Sequence, residues 1–250
     1  MKALVTGASS GRGRDMARYL SSLGYDLILV ARDINKMEEL KNELKTKVDI
    51  IALDLSIKEN CFELYDRTKN ENIDLLINNA GFGVFGNFTE TDLEIEIKLI
   101  NTNITAVHIL TKLYLKDMVK RDSGHILNVA SIAGFMSGPL MSAYYASKNY
   151  VVKLSTAIQK ELKKQKSNVK ISVLCPGPVD TNFNDVAGVQ FKLKSVSSEY
   201  VARYGIDNAL KGKKVILPTF QIKLIKFFTK ITPDKILLEI SYRTQRRKRE

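Results

Sequence analysis

Tyr144 and Lys148 stand four residues apart in the run Ser142-Ala143-Tyr144-Tyr145-Ala146-Ser147-Lys148. That spacing puts both on one face of a helix. An ammonium beside a phenol favours the phenolate and draws its pKa down from about 10. A tyrosine so placed can give a proton to a carbonyl oxygen or take one from an alcohol. Tyr145 has no lysine four residues on, so the role falls to Tyr144. Tyrosines and lysines are common on helices, and the pair acquires meaning only from the rest of the chain.

The elements that must carry such a pair alternate. Apolar strand-like runs at Ala3–Thr6, Asp26–Ala31, Ile50–Leu53, Asp74–Asn78, His125–Ala130, Val169–Leu174 and Lys214–Leu217 are separated by helix-like stretches. Among these, Leu93–Met118 reads as one long helix and Ser142–Lys164 as another. Strands apolar on both faces belong to a buried parallel sheet. The order predicts a doubly wound α/β domain of about seven strands, residues 1–217, with right-handed crossovers. Residues 218–250 read as a basic helical extension of that domain. The irregular stretch 180–197 follows the sixth strand, at the carboxyl edge where ligands of such sheets bind.

Directly after the first strand comes Thr6-Gly7-Ala8-Ser9-Ser10-Gly11-Arg12-Gly13. Gly7 permits a tight exit from the strand, Gly11 a close backbone approach to a pyrophosphate, and Gly13 close packing of the next helix. The helix start then offers N–H groups and a positive dipole end to phosphate. An ordinary glycine-rich loop is the plainer reading, but three spaced glycines between strand and helix favour a nucleotide.

The octapeptide resembles the cofactor motif of the short-chain dehydrogenase/reductase family. Asn78-Asn79-Ala80-Gly81, after the fourth strand, resembles that family's second motif. Asn103, Ser131, Tyr144 and Lys148 resemble its catalytic tetrad in order and spacing, and Pro176-Gly177-Pro178-Val179-Asp180-Thr181 its motif after the sixth strand. The resemblance spans residues 1–217. It implies cofactor contacts at Gly7, Ser9, Ser10, Arg12 and Gly13, then at Asn79, Ala80 and Gly81, at Tyr144 and Lys148, and at Pro176, Gly177, Val179 and Thr181. It also implies that Lys148 binds the nicotinamide ribose, that Asn103 holds a water linking Lys148 to solvent, and that Thr181 meets the carboxamide. Ser131 is expected to hydrogen-bond the substrate oxygen. Arg12 departs from the family pattern, which has an aliphatic residue there; its side chain either bonds a cofactor phosphate or points to solvent. The plain alternatives are that Ser131 caps a turn and that Asn103 is a surface residue or a polar kink.

An acid at the end of the second strand selects NAD by accepting bonds from the ribose 2′-hydroxyl. Here the strand ends Val30-Ala31-Arg32-Asp33. Alanine fills the acidic slot, and the following guanidinium can hold a phosphate through two parallel bonds. NADP is therefore expected and NAD less so, unless a shifted register brings Asp33 into play. Asp54 and Leu55 match the family's adenine contact, with a helix cap as the other reading of Asp54. The expected activity is oxidoreduction of a small carbonyl or secondary alcohol. The competing reading is a catalytically silent NADP-binding or membrane-associated protein on the same fold.

Composition sets the outer bounds. The 250 residues, 44% hydrophobic and 26% charged, suffice for one sizeable core. No apolar run reaches the ~18 residues of a membrane span, and no signal peptide is expected ahead of the first strand. Cys61 and Cys175 lack metal spacing and read as free thiols of a cytoplasmic protein. His108, within a helix, and His125, at a strand start, pair with no nucleophile or second ligand. Phe82, Phe85, Met136, Phe183 and Phe191 are candidates for an apolar pocket or for core.

Of the net charge of +12, +9 falls in residues 211–250. Within that tail, Ile222–Ile231 carries an apolar stripe beside lysines, the pattern of an amphipathic helix. It resembles the C-terminal extension of reductases related to 11β-hydroxysteroid dehydrogenases and DltE-type bacterial enzymes. That likeness implies contact with a second subunit, in a homodimer or homotetramer, or peripheral membrane association. The simplest expectation is packing on the body or on a second subunit. Nucleic-acid binding is not expected, because the charge is not set within a recognised module.

Overall fold

In the computed structural model, which describes residues 1–180 and 196–246, seven parallel strands form one sheet in the order β3-β2-β1-β4-β5-β6-β9. They are β1 (Lys2–Thr6), β2 (Asp26–Ala31), β3 (Val48–Ala52), β4 (Leu75–Asn78), β5 (His125–Val129), β6 (Lys170–Leu174) and β9 (Val215–Ile216). A separate two-residue pairing joins β7 (Val179–Asp180) to β8 (Val196–Ser197). Reversal of strand order at β1 and β4 opens a crevice at their carboxyl ends, the place where such sheets bind ligands.

Alternate residues of each strand feed two cores. Ala3, Val5, Leu27, Leu29, Leu75 and Ile77 pack on one face with α1 (Gly11–Ser22), α2 (Ile34–Glu43) and α7 (Ser198–Leu210). Leu4, Ile28, Val30, Leu76 and Ile126 pack on the other with α3 (Lys58–Thr68), α5 (Val107–Lys120) and α6 (Ser142–Lys164). Both faces must be apolar because helices cover both.

The predicted helix Leu93–Met118 is not uniform. It comprises α4 (Leu93–Ile100), a π-helical turn at Asn101–Ala106, and α5. The polar run Asn101-Thr102-Asn103 interrupts the apolar periodicity there, and Asn103 lies inside the widened turn, fully buried. The reading of Asn103 as a polar kink was near the mark and the surface reading was not. The tail forms α8 (Phe220–Ile231) and α9 (Asp234–Arg246). The carboxylate of Asp33 accepts from the Lys36 amide as the N-cap of α2, and Thr219 likewise caps α8.

Candidate active site

The glycine turn is held from below by one threonine. Thr6 Oγ1 accepts from the amides of Asn79 and Ala80 at 2.9 and 3.0 Å and donates to the Ile77 carbonyl. Asn79 Nδ2 donates back to the carbonyls of Thr6 and Gly7 at 3.0 and 3.3 Å. The first and second motifs thus lock together at the mouth of the crevice. Gly7 has φ +66°, and a Cβ on it would come within 2.9 Å of Ala80 Cα. A Cβ on Gly13 would collide with the Gly7 carbonyl oxygen. At the start of α1, Ser10 makes no side-chain capping bond and no acid occupies the first turn. Uncapped N–H groups at a bared helix start suit a pyrophosphate.

From this turn a cleft of roughly 560 Å³ runs between Arg32 and Phe82. Ser9, Ser10, Arg12, Leu55, Asn79, Ala80 and Gly81 line it, as do Lys36, Ser56, Lys98 and Thr102, which sequence reasoning did not single out. At its outer end β2 stops at Ala31 as predicted. The Arg32 side chain is 78% exposed and, among the described residues, pairs with Asp54 at 3.9 Å. Asp33 is engaged twice by Lys36, through the amide at 3.1 Å and the ammonium at 3.2 Å, which together hold its carboxyl below the usual range. Asp54 accepts from the Ser56 amide at 2.9 Å, a turn cap ahead of α3.

Beside the cleft's Gly81 wall, α6 presents Tyr144, Ser147, Lys148, Val151 and Val152 on its buried face, the helical repeat that the four-residue spacing implied. Lys148 Nζ donates to the Val129 carbonyl at 3.1 Å and lies 5.8 Å from the Tyr144 ring centre. Ser131 reaches the same place from the end of β5. It caps the 3-10 turn Ile132–Phe135, accepting from Ala133 N at 3.2 Å, and also hydrogen-bonds the Tyr144 side chain. The capping reading of Ser131 and its placement at the site therefore both hold. Gly134 permits the approach: a Cβ there would come within 2.7 Å of the Lys148 carbonyl oxygen. Asn149 fastens the turn to α6 by donating to the carbonyls of Ala133 and Met136 at 3.0 and 2.9 Å.

Asn103 approaches from the π-helical turn. Its Nδ2 donates to Phe82 O at 2.9 Å and Ser147 Oγ at 3.0 Å, and its Oδ1 accepts from Phe82 N at 3.1 Å. The side chain is a clamp on the Ala80–Phe82 turn. A Cβ on Gly81 would fall 2.7 Å from Asn103 Oδ1 and 3.3 Å from Lys148 Nζ, so Asn103, Gly81 and Lys148 share one tightly closed corner. From β6, the Pro176 carbonyl accepts from Ile132 N at 2.8 Å. Gly177 abuts Ile222 of α8. Val179 begins the short β7. Thr181, Phe183 and Phe191 lie outside the described residues. Phe82 and Phe85 pack around Tyr144, Leu99 and Met141, and Met136 is half-buried.

Burial dominates the electrostatics here. The Tyr144 phenol is pushed up by burial, opposed by the Arg12 charge and by the bond with Ser131. Burial, and secondarily Arg12, lowers Lys148 itself to about 7. Arg12 lines the cleft, and its charge opposes the rise of Tyr144 and adds to the lowering of Lys148. His125 is a core residue, bonded to Ser172 Oγ at 2.9 Å and lowered to about 4 by burial. His108 pairs with Tyr150 at 2.6 Å. Burial raises the Cys175 thiol to about 12, leaving it inert.

Three relationships to known proteins bear on this arrangement. The chain is 35% identical over 185 residues, 72% of its length and 78% of the relative's, to an uncharacterised oxidoreductase of Staphylococcus saprophyticus. It superposes with TM-score 0.84 on a short-chain dehydrogenase of Sphingobium yanoikuyae in complex with NADPH, at 26% identity over 94% of each chain. It superposes with TM-score 0.82 on a short-chain dehydrogenase/reductase of Burkholderia phymatum in complex with NAD, at 26% identity over 90% of this chain and 91% of that one. Residues 1–189 match the short chain dehydrogenase family model, and the chain belongs to that family of oxidoreductases.

Proposed function

We propose that this protein is an NADP-dependent oxidoreductase acting on a small carbonyl or secondary alcohol, with Tyr144 as the proton-transferring group. The observation that carries the reading is the convergence of Tyr144, Ser131 and Lys148, with Lys148 closing on Gly81, a wall of the glycine-lined cleft. The Gly7 and Gly13 cradle and the bared start of α1 fit a dinucleotide pyrophosphate. Gly7, Ser9, Ser10, Gly13, Asn79, Ala80 and Gly81 would hold it, with Asp54 and Leu55 beside the adenine and Pro176, Gly177, Val179 and Thr181 beside the nicotinamide. When bound, the nicotinamide supplies or accepts the hydride. In reduction Tyr144 gives its proton to the carbonyl oxygen as charge develops there, and Ser131 donates a hydrogen bond to the same atom. Lys148 holds the ribose and returns a proton to Tyr144. Asn103 keeps the Gly81 corner closed beside it. NADP over NAD is supported by Ala31 at the acidic slot, by the free reach of Arg32, and by the engagement of Asp33 with Lys36.

The test is a carbonyl panel with NADPH and NADH. Tyr144→Phe should cut NADPH turnover at least ~100-fold, as expected for loss of a general acid, while NADPH affinity stays within about threefold. A wild type that binds NADPH but turns over no carbonyl would favour the silent binding protein instead.

Assembly and location follow from surfaces. Leu93, Ile95 and Ile97 of α4 stand exposed and suit a homodimer or homotetramer. Two free, buried thiols suit the cytoplasm. Ile222 turns α8 toward the body, which leaves Phe220, Leu224, Phe227, Phe228 and Ile231 exposed on the opposite side. No described helix is long and apolar enough to cross a membrane. Two copies of a tail region carrying +9 would repel, whereas an anionic bilayer surface would attract it; we assign the stripe to that surface. Flotation with vesicles containing phosphatidylglycerol should succeed for the wild type and fail for Phe227→Glu/Phe228→Glu. A concentration-dependent dimer broken by the same variant, without flotation, would refute the assignment.

A further inference from the structure

The last helix of the described chain is built inside out. Along α9 the stripe Leu237, Ser241 and Gln245, spaced four apart, faces the body. Ser241 and Gln245 are 7% and 1% exposed and Leu237 is half-buried, whereas Ile236, Leu238, Ile240 and Tyr242 stand in solvent. Burial of large apolar side chains therefore does not explain why α9 docks. Burying a hydroxyl and an amide costs free energy unless they find partners. The partner is a phenol far back in the chain. Gln245 Nε2 donates to the Tyr145 hydroxyl, and Ser241 hydrogen-bonds the same group.

Tyr145 stands next to the proposed acid in the first turn of α6. That helix starts after Met141 with no side-chain capping bond and no acid in its first turn, and an uncapped helix start is prone to fray. Side chains hold the turn instead. Asn149 donates to the Tyr145 carbonyl at 3.0 Å. The Tyr145 ring lies against Gly138, where a Cβ would collide with it, and edge-on to the Tyr144 ring with centroids 6.1 Å apart. Its hydroxyl is tied to α9. Burial pushes that phenol up to about 12, so Tyr145 stays neutral and serves as an anchor. Resting on the reading of Tyr144 as the proton-transferring group, we infer that Gln245 and Ser241 are positioning residues for the reaction: by holding the Tyr145 hydroxyl they fix the first turn of α6 and so place the Tyr144 hydroxyl against Ser131 and the substrate oxygen. The basic tail thereby contributes to the reaction without touching the reacting atoms.

The test uses the full-length protein and a carbonyl that the wild type reduces with NADPH. Gln245→Met keeps the side-chain length and loses the donor. Gln245→Glu keeps a group that can accept from the Tyr145 hydroxyl, and Tyr145→Phe removes that hydroxyl. Rates are expressed per NADPH-binding site, so that misfolded protein drops out. A misplacement of about 1 Å can cost ~100-fold in rate. Gln245→Met and Tyr145→Phe should each lower kcat about 10-fold and raise the solvent isotope effect on kcat, as proton transfer becomes the slow step, with NADPH affinity kept within about threefold. Gln245→Glu should recover most of the rate. Adding Gln245→Met to Tyr145→Phe should cost nothing further, because both act through one bond. If kcat per site of Gln245→Met stays within about twofold of wild type, or falls with the isotope effect unchanged, the inference is overturned while the role of Tyr144 stands. If Tyr144→Phe is as active as the wild type, the reading of Tyr144 fails and the inference falls with it.

Discussion

Arg32→Ala should lower the affinity for NADPH by about tenfold and leave NADH within about twofold. A charge-assisted hydrogen bond contributes ~1.5–3 kcal/mol. Arg32 is 78% exposed on its side chain, so the low end applies, and ~1.4 kcal/mol is a factor of ten. Its existing partner does not compete strongly, because an exposed ion pair such as the 3.9 Å contact with Asp54 is worth at most ~1 kcal/mol. The opposing case has a cost that can be placed beside this. For Asp33 to accept from a ribose 2′-hydroxyl it must leave the Lys36 amide that it caps at 3.1 Å, and losing an N-cap costs ~0.5–2 kcal/mol. Fluorescence titration of both nucleotides against wild type, Arg32→Ala and Arg32→Ala/Lys36→Ala reads the outcome. The double variant should lose NADPH affinity further, since Lys36 lines the same end of the cleft. Equal weakening of NADPH and NADH by Arg32→Ala, or a wild type that prefers NADH, would refute the reasoning.

Two stability predictions accompany it. Gly13→Ala should destabilise by ~1–3 kcal/mol through overpacking, because the new methyl meets the backbone of Gly7 and comes within 2.7 Å of Asn79 Nδ2; at this size that is a fall of roughly 2–12 °C in Tm by calorimetry. Gly24→Ala, at φ +82° with open space around it, should cost only the backbone strain, about 1 kcal/mol, and a Tm loss equal to that of Gly13→Ala would refute the steric account. The second concerns pH. Lys148, lowered to about 7 by burial, binds fewer protons folded than unfolded above that pH, so stability should rise from pH 7 to pH 9. His125, lowered to about 4, acts the same way in a separate window, with stability lost as pH falls from about 6.5 toward 4. Lys148→Met should flatten urea-melt midpoints between pH 7 and 9 and leave the acid limb intact; an unchanged slope there would remove Lys148 as its origin.

The features legible in the chain were those with local causes. Gly7 and Gly13 are required by atoms a few residues away or one strand over, and the alternation of apolar runs follows from helices covering both faces of the sheet. Tyr144 and Lys148 share a face because the helix repeat places them there. What escaped was set at a distance. The π-helical turn looks like a polar blemish in a long helix, and only the Phe82 backbone and Ser147, brought in by other elements, give Asn103 its bonds. The exposure of the α8 stripe depends on Ile222, not Phe227, meeting the body. Lys36, Lys98 and Thr102 carry no motif and reach the cleft only because three different elements converge on it.

The division of charge around Tyr144 has a mechanistic consequence. Sequence spacing gives Lys148 alone the task of making Tyr144 acidic, yet a lysine that is itself lowered to about 7 is a poor fixed charge, because it loses its proton over the range where the phenol must work. A guanidinium suffers no such loss. Arg12 from the glycine turn and Ser131 from the end of β5 both oppose the rise that burial imposes on Tyr144, and neither titrates near neutrality. In the proposed reaction Lys148 would carry protons instead of merely standing as a charge. Its Nζ is anchored to the Val129 carbonyl and needs only a modest pH change to give up or regain one.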